Sequence, residues 1–347
     1  MHQFYILCFS LMWMISFNTC GTKSKLGTSK SDFVVFLDSA DASKAIIHKD
    51  VEKYFESVRP IDMSIQMKKP DPGNTNEVNL QLFKKFISTE VSDWNEGEKK
   101  ILTKTMAEVR RLLKNLNPAI MPDIQLVKIK TNHYGKDVYY TRGNLICIPE
   151  NIFDGYNEEI QLPIMIHEVF HILSKNHPAL RDTLYSLIGF EKLSSEPLLP
   201  KVLLDKLLTN PDGVTKQYVI SLPDPNNTNQ TIWALPLITS RKSSWEASVP
   251  SFFEYLEFDL YPVVKRGNSR VVGVDVLGKT TLPVTATPVF FTKIKDNTRY
   301  IIHPEEIIAD NFMLAVLAKD KKDYKKFSTE GKKLIESLTT IVERYPF

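Results

Sequence analysis

Apolar residues recur along this chain with two different periods, and the alternation between them sets out its elements. Ile101, Leu102, Met106, Val109, Leu112 and Leu113 fall at helical spacing, and Ser92 or Asp93 can cap the run. The spacing predicts a helix over 92–115, ended by Pro118 and Pro122. Strand-like runs follow over 124–129, 138–141 and 145–148, separated by turns with Gly135 and Gly143. A nearly unbroken apolar run around Ile164 to Leu173 predicts a buried helix over 163–174, with Pro163 in its first turn. A second helical stretch covers 179–189.

Residues 210–300 are turn-rich, with strand candidates over 218–222, 231–238, 271–276 and 289–294. Residues 304–342 read as two helices. Residues 32–90 read as a mostly irregular or extended N-terminal region, with a loop over 68–74. Strands, a buried helix, a β-rich insert and closing helices in that order predict an α+β fold. Residues 91–347 would then form the main domain.

The first twenty residues carry an address. The stretch 4–17 is almost wholly apolar, too short to span a bilayer comfortably, and it fits the core of a signal peptide over 1–20. Cys20 follows at the junction, and the Ser-, Thr-, Lys- and Gly-rich residues 21–31 read as a tether. Cys20 in that setting resembles the lipidated cysteine of a bacterial lipoprotein signal. The resemblance implies export and a lipid anchor at the cell envelope, on its periplasmic or surface face.

Composition narrows the partners. The chain has 347 residues, 43% of them hydrophobic, enough to bury a sizeable core. Its net charge of +3 is too mild to argue for nucleic acid. Besides Cys8 and Cys20 there is only Cys147, so neither a disulfide framework nor a cysteine zinc site is available downstream.

The chemistry concentrates in His167-Glu168-Val169-Phe170-His171. Two histidines four apart on a helix stand about 40° apart around its axis, one turn above the other. Their imidazoles can share one zinc ion. Zinc lowers the pKa of water it binds to about 7, so a neighbouring carboxylate, here Glu168, can act as general base.

The third ligand has two candidates. His167 to His177 has the spacing HExxHxxSxxH, with Ser174 where the metzincin signature has glycine, so His177 is one. The other is in the run Glu306-Ile307-Ile308-Ala309-Asp310. This ExxAD, paired with HExxH upstream, resembles the gluzincins, the thermolysin- and neprilysin-like zinc metallopeptidases. The resemblance implies Glu306 as third ligand and Asp310 as the carboxylate that orients His167. It also implies a zincin-like fold, one Zn2+ per chain and a peptide or protein substrate. Tyr300, shortly upstream of Glu306, is the candidate donor to the oxyanion. His303 is expected to cap the following helix or to pack beside the site. Three other functions remain open: a metzincin-like peptidase using His177, a surface lipoprotein that binds a partner on this scaffold without turnover, and a non-peptide amide hydrolase using the same site.

Overall fold

The computed structural model describes residues 34–48, 54–71, 73–225, 227–249 and 251–346. The signal-like segment, Cys20 and the tether lie outside the described residues. The fold is mixed α+β.

The first sheet holds β1 (Val34–Phe36), β2 (Val91–Ser92), β3 (Ile124–Ile129), β4 (Tyr140–Arg142) and β5 (Leu145–Pro149). Its order is β1-β3-β5-β4, with β2 beside the far end of β3. Strands β1, β3 and β5 run parallel, and β4 lies antiparallel to β5 at the edge. Every residue of β5 is buried, as expected for a strand covered on both faces. Cys147 sits in it as a free thiol, and burial pushes its pKa up to about 12.

Residues 34–89 depart from the irregular region that the sequence predicts. Besides β1 they form α1 (Ser39–Ala45), α2 (Tyr54–Ser57), α3 (Pro60–Met67) and α4 (Asn76–Thr89). The signals were local: Asp38 and Thr75 cap α1 and α4, and Pro60 opens α3. The buried pairs Ala42/Ile46 and Phe83/Ile87 are four apart, and they join a core that continues to Val342.

Helix α5 (Glu96–Leu112) begins later than predicted, because Asn95 and Glu98 form a reciprocal capping box. Ser92 belongs to β2 instead. Helix α6 (Glu158–Asn176) begins earlier than predicted. Asn157 caps it, and Glu158 and Glu159 suit its N-terminal dipole. Pro163 therefore lies inside the helix rather than in its first turn. The carbonyl left without its partner belongs to Glu159, which is exposed. Then come α7 (Pro178–Ser186), β6 (Phe190–Lys192) and α8 (Lys201–Leu204).

The second sheet is antiparallel throughout. After β6 it comprises β7 (Tyr218–Asp224), β8 (Asn227–Ser240), β9 (Leu256–Arg266) and β10 (Ser269–Val272), in the order β10-β9-β8-β7-β6. Alternating side chains cover both faces. Val219, Leu235 and Leu237 enter a small separate core, whereas Ile220, Leu222, Ala234 and Ile238 face the main one. The short helix α9 (Phe252–Tyr255) precedes β9, and Phe252 and Tyr255 are buried.

The candidate strand over 289–294 is a helix, α10 (Pro288–Ile294). Its buried residues Phe290 and Ile294 are four apart, a helical interval that the β-branched and aromatic composition hid. The candidate strand over 271–276 ends at Val272, and β9 was not anticipated. Helices α11 (Pro304–Lys321) and α12 (Thr329–Arg344) close the chain as the sequence predicts. Helix α11 lies against α6, with Phe312 packed on Phe170. Among the described residues, no helix is long and apolar enough to cross a membrane.

Candidate metal centre

Two helices far apart in sequence supply the centre. Helix α6 is buried on most sides through Met165, Ile166, Val169, Phe170, Ile172 and Leu173. His167 and His171 project from it one turn apart, their ring centroids 4.6 Å from each other. Helix α11 approaches with its N-terminal turn. His303 caps that turn by accepting from the Glu305 N–H through Nδ1 (3.1 Å), with Nε2 towards the Thr215 carbonyl (3.2 Å). Pro304 occupies the first helical position.

This arrangement brings Glu306 between the two imidazoles. Its Oε2 lies 3.2 Å from His167 Nε2 and 3.5 Å from His171 Nε2. The far nitrogens face two other carboxylates. His167 Nδ1 is 2.9 Å from Asp310 Oδ1, and His171 Nδ1 is 2.9 Å from Glu305 Oε1. Further donors fix these acids: Thr298 to Asp310, Ser174 and Tyr185 to Glu305, and Asn210 to Glu306.

Glu305 and Asp212 carried no sequence signal as site residues. Glu305 stands beside Glu306 and reads as an ordinary first-turn acid. Asp212 comes from a loop in the β-rich insert. Each is buried.

The other anticipated residues divide. Tyr300 stacks near-parallel on His167, with centroids 6.2 Å apart and 19° between planes. Glu168 is buried, and its Oε2 has no hydrogen-bond partner. His177 is not brought to the cluster. It stands at the junction of α6 and α7, with Nε2 3.2 Å from the Ile120 carbonyl and its ring edge-on to Tyr345.

The electrostatics favour a cation. Five carboxyl groups, those of Glu168, Asp212, Glu305, Glu306 and Asp310, converge on two imidazoles, with only the Lys175 ammonium beside Asp212 and the Arg181 guanidinium acting on Glu305 as fixed cations among the described residues. Burial raises Glu168, and the Asp212 carboxylate adds to the effect, to a pKa of about 7. Burial opposes charge on His167, yet hydrogen bonds to Asp310 and Glu306 prevail and push it up to about 10. Burial likewise opposes charge on His171, but the facing Glu306 and Asp212 carboxylates hold its pKa well above the ordinary imidazole value. Glu306 is held well below the carboxylate range, burial being outweighed by the imidazoles.

The donor set fits zinc. Tetrahedral zinc with ligands at about 2.0–2.1 Å keeps neighbouring ligand atoms about 3.3 Å apart. The two separations from Glu306 Oε2, 3.2 and 3.5 Å, match that edge. His171 Nε2 is also buried without a hydrogen-bond partner, as a nitrogen whose lone pair is left for a metal would be. His167, Glu168 and His171 each offer a ligand atom within 4.8 Å of the others, as do His171, Asp212 and Glu306. Comparison of the chain with protein-family models, with curated proteins and with solved structures found no match.

Proposed function

We propose that this chain is a zinc-dependent metallopeptidase of gluzincin type on a zincin-like fold. One observation carries the reading. Glu306, 139 residues from His167, meets both HExxH imidazoles, while Asp310 and Glu305 hold their opposite nitrogens. A carboxylate on the outer nitrogen fixes the tautomer so that Nε2 presents its lone pair. The topology agrees with the fold reading: a mixed sheet whose antiparallel edge strand, β4, precedes the active helix.

His167, His171 and Glu306 would hold one Zn2+ per chain. Zinc supplies a Lewis acid that polarises a carbonyl and acidifies water. Glu168 accepts the proton of the attacking water and returns it to the leaving amine as the C–N bond breaks. Its Oε2, buried without a hydrogen-bond partner, is free for both transfers. Tyr300, beside His167, donates to the developing oxyanion. The signal-like stretch 4–17 and the cysteine that follows it support an exported form of this enzyme with a lipid anchor at Cys20.

A second reading has its own observation. The outward amide of β4 is already taken by Asp212, which suits a partner-binding lipoprotein without turnover.

Metal content by mass spectrometry tests the assignment. The full chain should carry one zinc, lost in His167→Ala and Glu306→Ala and kept in His177→Ala. A broad peptidase assay should then show turnover that Glu168→Gln abolishes while retaining the zinc. A parent chain that takes up no zinc would sink the reading. Zinc without turnover on any peptide would favour the binding protein.

A further inference from the structure

The loop between α8 and β7 runs past the imidazoles and places two side chains among them. Asn210 Nδ2 donates to Glu306 Oε1 at 2.7 Å. Asp212 touches two features at once. Its Oδ1 accepts from the Thr141 N–H and from the Thr141 hydroxyl, both at 2.6 Å. Thr141 is the middle residue of β4, the edge strand. Asp212 therefore occupies a main-chain donor that an added peptide strand would use. Its carboxylate also offers a ligand atom within 4.8 Å of those of His171 and Glu306. His171 itself is fully buried, and its Nε2 has no hydrogen-bond partner.

The seat of this loop is built rather than incidental. Asp212 is only 7% exposed. Lys175 Nζ, also buried, lies 3.9 Å from its Oδ1 and donates to Thr141 Oγ1 at 2.6 Å, so the carboxylate has a counter-charge. The Asp212 N–H donates to Asn210 Oδ1 at 3.2 Å. Upstream, the Thr209 N–H donates to Asp62 Oδ2 (2.8 Å) and the Leu208 N–H to the Ile238 carbonyl (3.0 Å). Downstream, Gly213 passes so close to His303 that a Cβ there would come within 2.2 Å of the imidazole Nδ1. Only glycine lets the chain follow that path.

We propose that Asp212 is a fourth protein ligand of the metal centre and that its loop closes the substrate cleft, so that the folded chain holds a latent zinc site. The proposal rests on the zinc reading above. Zinc held by four protein side chains is closed, whereas catalytic zinc keeps one position open. Asp212 Oδ1 is committed to Thr141, and a carboxylate retains a second oxygen for an ion. A peptide that displaces Asp212 gains the β4 amide and frees the fourth position in one movement. Substrate binding and activation are then the same event.

Cobalt(II) in place of zinc makes the open position visible. The full chain, Asp212→Ala and Asp212→Asn are each loaded with cobalt and titrated with azide, and zinc affinity is measured by chelator competition. Asparagine keeps an acceptor for Thr141 while removing the charge, so it preserves the loop where alanine would release it. The parent's spectrum should be indifferent to azide. Both variants should still bind one ion, at least about tenfold more weakly, and should respond to azide, and Asp212→Ala, which also releases the loop, should cleave peptides faster than the parent. Azide reaching cobalt in the parent, or unchanged affinity in both variants, would overturn the proposal and leave the peptidase reading intact. A parent that binds neither metal would overturn both.

Discussion

Glu305 and Glu306 are neighbours in sequence yet face different nitrogens of the cluster, Glu305 meeting His171 Nδ1 and Glu306 lying between the two Nε2 atoms. The difference assigns them different chemistry. Glu306 is placed to hold an ion, and Glu305 to orient the imidazole that holds it. Loss of an outer carboxylate typically weakens a metal about 10–100-fold. Glu305→Gln should therefore keep one zinc per chain but bind it weaker by that factor in chelator competition. A Glu305→Gln chain with unaltered affinity would show that Ser174 and Tyr185 leave Glu305 no hold on His171. Sequence spacing made His167, His171, Glu306 and Asp310 legible, because each pair sits at i, i+4 on a helix and shares a face. It could not reveal Glu305, since adjacent helical positions point about 100° apart and only the packing of α6 on α11 gives the second acid a partner. Asp212 was hidden more completely. It lies in a loop, where no period relates a residue to a distant helix.

At the scale of elements, the same loop ties the N-terminal helices to the centre. Asp62, fully buried on α3, accepts from the Thr209 N–H and from Gln66 Nε2. Burial outweighs these hydrogen bonds and raises its pKa from 3.8 to about 6. A carboxyl whose folded pKa lies above its unfolded one adds stability below about pH 4, and that contribution is lost as pH rises through about 6. Above pH 6 the buried charge costs about 3 kcal/mol. Asp62→Asn removes the titration. Its carbonyl can accept from Thr209, and its amide can face Gln66 Oε1, which has no partner. Urea denaturation should show the variant gaining on the parent between pH 4 and pH 7, by up to about 3 kcal/mol. Parallel stability curves across that range would refute the buried charge. Helices α1 to α4 were less legible than α5 or α11 because each is short. Four to fourteen residues offer few turns over which a 3.6-residue period can accumulate, so caps carried most of the signal.

Across the whole molecule, the cluster joins α6, α11 and the loop of the β-rich insert, segments that the chain itself connects only through long excursions. An ion bound there favours the folded state by about 2.7 kcal/mol when its concentration is a hundred times its Kd. Zinc does not compete with emptiness but with protons. In the metal-free chain the carboxylates are balanced by protons on His167 and His171. Burial opposes those charges, and the facing acids nonetheless hold His167 at about 10 and His171 well above its ordinary value. These raised pKa values stabilise the metal-free fold fully below about pH 6.5, and the benefit fades as pH rises towards 10. Each imidazole must surrender its proton before it can bind zinc, so zinc binds more tightly as pH rises. Both effects have the same sign in the difference between loaded and metal-free chains. Calorimetry with zinc or with chelator should find a larger rise in Tm at pH 8.5 than at pH 6. An equal or larger rise at pH 6 would mean that the imidazoles give up no protons to the ion, and that zinc binds elsewhere than between α6 and α11.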